Sequence, residues 1–169
     1  VFGVCGGFQM LGMRLSDPFG IEEGGTLRGL GLLPVETVFS REKTRTRVTG
    51  NAWVFEEWGG AKASGFTGYE IHMGETKRAG GRPCTGTRKE TDPAGAAIKE
   101  DGCIQGRAAG TYVHGFFDSQ EIQRAVWELL AGKYGISMDK LPEAGEFSMA
   151  AHKEEQYKKL AGILRENLD

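Results

Sequence analysis

Val1-Phe2-Gly3-Val4-Cys5-Gly6-Gly7-Phe8-Gln9-Met10-Leu11-Gly12 is the stretch on which the reading of this chain turns. Val1 to Val4 is an apolar run suited to the end of a buried strand, and the glycines after it mark a sharp turn. Phe8, Leu11 and Leu15 then recur at helical spacing until Asp17-Pro18 stops the pattern. Strand, tight turn and short helix together make a nucleophile elbow with Cys5 at its apex. Such a turn forces the apex residue into a strained backbone region, which small neighbours tolerate. The sulfur would lie over the helix N-terminus, where free N–H groups and the dipole favour a thiolate and lower the pKa from about 8.5. The N–H of Gly6, directly after the nucleophile, is placed to donate to an oxyanion. A buried, inert cysteine closing a hydrophobic strand is the competing reading; the flanking glycines argue against it.

A strand needs neighbours, and nothing precedes this one, so the sequence is expected to begin part-way through a domain. Its 169 residues suit one α/β unit, 1–169, with a core of useful size but no room for a second domain. The hydrophobic fraction of 39% and charged fraction of 26% are those of an ordinary globular protein. Basic and acidic residues are intermixed with a net charge of −2, which gives no electrostatic case for nucleic acid or anionic lipid. No apolar stretch approaches the roughly 20 residues of a membrane span, and no basic flank of a signal peptide precedes Val1. A cytoplasmic location is therefore expected. Cys5, Cys84 and Cys103 show no C-x-x-C spacing, which disfavours a disulfide framework or a zinc site.

Beyond the elbow, Leu27 to Phe39, Thr44 to Thr49, Ala52 to Phe55 and Tyr69 to Met73 read as strands or extended segments. Gly59 to Gly68 reads as a turn and Gly80 to Gly95 as a polar loop. Cys103 to His114 reads as two short strands around Gly106 and Gly110, entered by the turn pair Asp101-Gly102. Ser119 is a helix cap before Ile122, Val126, Leu129 and Leu130, with Gly132 or Gly135 as the stop. Ser148 is a second cap before Met149, Tyr157, Leu160, Leu164 and Leu168.

A cysteine nucleophile needs a base within hydrogen-bond reach, and the histidines are His72, His114 and His152. His152 sits in a charged stretch and reads as a surface residue. His114, in Gly110-Thr111-Tyr112-Val113-His114-Gly115, ends a strand before a glycine, so its ring should project from a sheet edge, and it is the better base. His72 shares strand spacing with Glu70, which puts both side chains on one face. Glu70 and His72 are a secondary site candidate, and a purely structural couple fits their spacing equally well.

Gly3 to Gly12 resembles the nucleophile motif of class I glutamine amidotransferases in their cobyric acid synthase branch. Gly29-Leu30-Gly31-Leu32-Leu33-Pro34-Val35-Glu36-Thr37, Gly68-Tyr69-Glu70-Ile71-His72-Met73-Gly74, Gly110 to Asp118 and the terminal Leu160 to Asp169 are similar to that branch as well, so the resemblance spans essentially the whole chain. It implies a flavodoxin-like amidotransferase domain, with the elbow at the carboxyl end of a central parallel strand. Cys5 would be the nucleophile, His114 the base and Gln9 a contact for bound glutamine. The implied reaction is glutamine hydrolysis supplying ammonia for ATP-dependent amidation of adenosylcobyrinic acid a,c-diamide in cobalamin synthesis. No cofactor is expected in this domain; ATP and Mg²⁺ would belong to a separate synthetase domain, which would also hold the corrinoid.

Two departures stand out. Typical class I enzymes place a glutamate two residues after the histidine, where this chain has Phe116, as is usual in this branch. The resemblance also leads one to expect a segment upstream of the elbow strand, with the loop that supplies a further oxyanion donor in relatives, so residues 1–169 by themselves are expected to hydrolyse glutamine poorly. Two other readings compete. One is a related subunit that amidates a cell-wall lipid precursor, from which Gly-Leu-Leu-Pro-Val-Glu-Thr would not be expected. The other is a non-catalytic docking or redox domain on the same fold.

Overall fold

The computed structural model describes residues 1–60, 63–93, 95–137 and 149–167. Phe2–Val4 (β1) passes through Cys5 into helix α1, Gly6–Leu11. This helix is shorter than the apolar spacing predicts, because Arg14–Asp17 forms a strand, β2. Gly12 ends α1 in extended conformation, and a Cβ there would lie 2.8 Å from the Val35 carbonyl oxygen. Leu15 leaves the helical face and pairs instead with Leu27 and Thr37.

Gly25–Arg28 (β3), Val35–Val38 (β4), Thr44–Ala52 (β5), helix α2 at Val54–Glu57, Ala63–His72 (β6) and Glu75–Arg78 (β7) follow. Thr85–Lys89 (β8), Lys99–Asp101 (β9), Cys103–Gln105 (β10), Ala108–Thr111 (β11) and Val113–His114 (β12) complete the strands. A 3-10 turn at Phe116–Asp118 leads into α3, Gln120–Tyr134, and Met149–Asn167 forms α4.

The expected α/β class holds, in three sheets ordered β1-β11-β10, β12-β6-β5-β8-β9 and β3-β2-β4-β7. Only β1 with β11 and β2 with β4 pair in parallel among the described strands. The elbow strand is not central here: β1 lies at one border of its sheet, with β11 as its neighbour.

Several local expectations change. Ala52 to Phe55 is not a strand of its own. Ala52 ends β5, and the Trp53 and Val54 N–H groups both donate to the Cys84 carbonyl (3.0 and 3.2 Å), turning the chain into α2. The turn expected over Gly59 to Gly68 gives way to β6 from Ala63 onward, and β8 lies inside the expected polar loop. Thr85 and Thr87 look solvated by composition but are buried, pointing inward from β8. Cys103 to His114 makes three strands rather than two, since the chain breaks at Tyr112 as it passes from the first sheet to the five-stranded one.

Ser119 precedes α3 in extended conformation as expected, but its hydroxyl donates to Glu121 Oε2 (2.8 Å) instead of accepting a backbone N–H. Gly135, at φ 64°, supplies the left-handed turn that ends α3. The expected cap Ser148 and the last apolar position Leu168 lie outside the described residues. On α4, Tyr157, Leu160 and Leu164 do share a stripe, but it is exposed.

Two clusters form the core. Phe55, Phe66, Val113, Phe116 and Ile122 fill the space between the five-stranded sheet and α3. Phe8, Leu11, Leu33, Val35 and Tyr112 pack α1 down onto its neighbours, with Cys5 against their edge. Each fully buried side chain of this size contributes about 1.5–3 kcal/mol. No helix of the described residues is long and apolar enough to cross a membrane.

Candidate active site

Cys5 adopts φ 52°, ψ −113°, and it is the one non-glycine residue with positive φ among those described. Such a backbone costs on the order of 1–3 kcal/mol and persists only where its surroundings hold it. Two bonds hold it: the Cys5 N–H donates to the Thr111 carbonyl (2.9 Å), and the Gln9 N–H donates to the Cys5 carbonyl (3.0 Å). The neighbouring glycines divide the work. A Cβ on Gly3 would lie 2.7 Å from backbone atoms of Gly7 and Phe8, so the strand can meet the helix only there without a side chain. At Gly6 and Gly7 a Cβ would meet nothing within 4 Å, so steric demand does not explain them; they leave the face above the elbow open.

The thiol of Cys5 donates to the Ile71 carbonyl (3.5 Å). Partial burial pushes its pKa up, against the pull of the Gly6 N–H aimed at the sulfur. The lowering expected from a helix N-terminus is thus overturned. A six-residue helix has a small dipole, and one N–H does not offset desolvation. The resting sulfur carries its proton and needs a base to remove it.

His114 ends β12 opposite Tyr69 of β6, and Gly115 follows at φ 74°. The two rings stack with centroids 5.3 Å apart and planes 5° apart. The Nε2 atom of His114 is buried and has no hydrogen-bond partner among the described residues. Cys5 and His114 therefore border the same short stretches of backbone: Cys5 bonds Thr111 and Ile71, while His114 follows the first and faces the strand of the second. Phe116, in the position of the usual triad glutamate, is buried against Phe2, Phe55 and Phe66 and belongs to the core.

Glu70 and His72 do share a face of β6, the one opposite Tyr69 and Ile71. His72 Nδ1 donates to the Gly74 carbonyl (2.9 Å), which leaves Nε2 facing Glu70 Oε2 at 3.7 Å. Lys99 Nζ lies 3.5 Å from the same oxygen. Burial alone would raise the Glu70 pKa, but His72 and Lys99 together outweigh it and hold the carboxyl below its ordinary range. His152 is exposed on α4.

Gln9, expected to touch glutamine, is buried, and its side-chain amide donates to the Tyr112 hydroxyl (3.1 Å). That hydroxyl also pairs with Thr76 Oγ1 (2.5 Å), and Thr76 in turn with Thr37 Oγ1 (2.6 Å). Sequence reasoning passed over Tyr112, Thr76 and Asp101. Asp101 registered only as half of a turn, yet it is buried and accepts bonds from Thr85 Oγ1 (3.0 Å), Thr111 Oγ1 and the Tyr112 N–H. Burial pushes its pKa up, with the Thr111 bond opposing. No local pattern marks such a residue, because its partners come from other strands. A cavity of about 840 Å³ opens beside this network, lined by Phe8, His72, Thr76, Lys99 and Tyr112 among others. No three His, Cys, Asp or Glu side chains among the described residues assemble as a metal site.

Residues 1–122 match the CobB/CobQ-like glutamine amidotransferase domain. The chain belongs to that family. The mixed α/β architecture is consistent with a flavodoxin-like amidotransferase domain of this kind, and the glutamine-hydrolysing type of site follows from the family. Among curated relatives, a cobyric acid synthase of Ruminiclostridium cellulolyticum is 42% identical over 170 residues, covering 100% of this chain and 32% of its own length. Those of Lachnoclostridium phytofermentans and Citrobacter koseri are 38% and 41% identical, again over 100% of this chain and 34% and 32% of their own lengths. The amidotransferase chain thus spans about a third of these relatives. Their names lend no support to the cell-wall amidase or the docking and redox alternatives.

Proposed function

We propose that this chain is the glutaminase part of a cobyric acid synthase, releasing ammonia for amidation of a corrinoid carboxylate. The strained Cys5 at the junction of β1 and α1, with the Gly6 N–H on its sulfur, carries the reading. His114 Nε2 takes the thiol proton, and the sulfur adds to the side-chain carbonyl carbon of glutamine. The carbonyl oxygen gains negative charge against the Gly6 N–H. Collapse breaks the C–N bond, the proton on His114 passes to the leaving nitrogen, and ammonia departs from a thioester. His114 then removes a proton from water, whose oxygen attacks the thioester carbon. Glutamate leaves and the thiol is restored. The Phe116 position makes this a dyad, so His114 must be held by something other than that carboxylate.

Adenosylcobyrinic acid a,c-diamide as acceptor is the reading supported by the name shared by the relatives. ATP and Mg²⁺ belong to the carboxylate-activating domain in this scheme, and no step of the hydrolysis uses them. The intermixed charge and net −2 give no electrostatic support for nucleic-acid or membrane partners, and a cytoplasmic enzyme is part of this reading. The test is Cys5→Ala in the full-length protein. Corrinoid amide formation with glutamine should fall by about 10⁴-fold or more, and concentrated ammonium at alkaline pH should restore it. Continued use of glutamine, or failure of ammonium to rescue a folded variant, would remove Cys5 from its role.

A further inference from the structure

The usual carboxylate that orients the base is replaced by Phe116, and Phe116 is committed to the core. Yet an imidazole that cycles between neutral and cationic forms needs a fixed orientation and some stabilisation of its charge. Among the described residues, one aromatic ring is placed to do both. Tyr69 lies directly across the β12–β6 ladder from His114, and their rings stack with planes 5° from parallel and centroids 5.3 Å apart. Tyr69 is 45% exposed. Its ring runs alongside the Gly115 backbone, with Cε1 3.9 Å from where a Cβ on that glycine would sit. Gly68, one residue earlier, has no side chain to push β12 away; a Cβ there would collide with Val113 and the His114 carbonyl.

We propose that Tyr69 is the positioning residue for His114, its aromatic face standing in for the missing carboxylate by fixing the ring plane and stabilising the imidazolium. The inference rests on His114 being the glutaminase base. An electron-rich ring face attracts a cation electrostatically, and a cross-strand pair supplies the register that keeps the two faces together. The charged groups around this stack are Asp118, on the 3-10 turn, and Lys153, on α4, which are paired with each other, and Arg47, which lies across the β5–β6 ladder from Tyr69 and pairs with Glu90. Glu70 and His72 project from the opposite face of β6. The stack acts through its face rather than its hydroxyl. That separates it from a triad glutamate, which acts by accepting a hydrogen bond.

The experiment measures glutaminase kcat, KM and the pH profile of kcat/KM in the full-length protein with Tyr69→Phe, Tyr69→Leu and His114→Ala. Tyr69→Phe keeps the ring and should stay within about twofold of the parent. Tyr69→Leu should lower kcat by roughly tenfold with KM little changed, and should move the acid limb of the profile down by about half a pH unit. Tyr69→Thr, which keeps β propensity, takes the place of Tyr69→Leu if the latter does not fold. An unmoved acid limb with full kcat in the ring-less variants overturns the proposal, as does a Tyr69→Phe variant as impaired as Tyr69→Leu, which would put the function in the hydroxyl. His114→Ala separates the two levels: full activity there removes the base assignment itself, whatever Tyr69 does.

Discussion

The imidazole of His72 lies against the ring of Tyr112, centroids 3.9 Å apart and planes 21° apart, while the Tyr112 hydroxyl accepts the amide of Gln9. Tyr112 thereby ties the nucleophile helix to β6 and, through Thr76, to β7. Tyr112→Phe keeps the stack and removes the hydroxyl, leaving the buried Gln9 amide without its acceptor. Stability should fall by about 1–3 kcal/mol, read from urea unfolding; a change within error would show that the hydroxyl bridge contributes nothing.

The two candidate bases predict different losses. His114→Ala should reduce glutaminase kcat by about 10²–10⁴-fold, the usual range for a general acid–base. His72→Ala should cost less than about tenfold, since its Nδ1 is engaged by Gly74 and its Nε2 lies 3.7 Å from Glu70 Oε2. Equal or reversed losses in folded variants would pass the base role to His72.

Restoring a glutamate two residues after the histidine should not rebuild a triad. Phe116 stacks on Phe2 and Phe55 inside the core, so Phe116→Glu would bury a charge and lose an aromatic ring together. A loss of about 3–5 kcal/mol or more is expected, seen as a collapse of cooperative thermal unfolding. A stable variant with raised activity would contradict the packing described for this position.

The elbow glycines should separate in the same way. Gly3→Ala places a Cβ 2.7 Å from backbone that has no room to move, and should destabilise by about 1–3 kcal/mol. Gly6→Ala meets nothing within 4 Å and should leave stability almost unchanged while raising KM for glutamine, because the open face above the elbow is narrowed. Unfolding curves and steady-state kinetics on the pair decide the matter; similar behaviour of both variants would sink the distinction.

Acid should weaken the fold partly through Glu70. Its carboxyl is held below the ordinary range, so the unfolded chain binds the proton more readily, and stability rises with pH across that interval. The contribution is present at neutrality and disappears as the pH falls through the lowered value. Asp101 has the opposite sign, since burial raises its pKa. Glu70→Gln should therefore flatten the acid-side loss of unfolding free energy below about pH 5; a variant whose loss is as steep as the parent's would show that the Glu70 pairing has no such part.

Sequence alone determined the elbow. Gly3 to Gly12 carries the strand, the turn and the helix within a dozen consecutive positions, so local backbone physics is enough to read it, and His114 before Gly115 was legible for the same reason. Tertiary structure decided what long-range contact controls. The thiol pKa moves up because packing half-buries Cys5, which no local dipole argument foresees. Arg14–Asp17 leaves its helical pattern because β3 and β4 pair with it. Thr85 and Thr87 turn inward because Asp101 and β9 meet β8 there. Gln9 faces Tyr112 across 103 residues of sequence, and Tyr69 faces His114 across a strand ladder. A sequence records which groups are available; which of them satisfy one another is fixed only when strands distant in the chain are brought side by side.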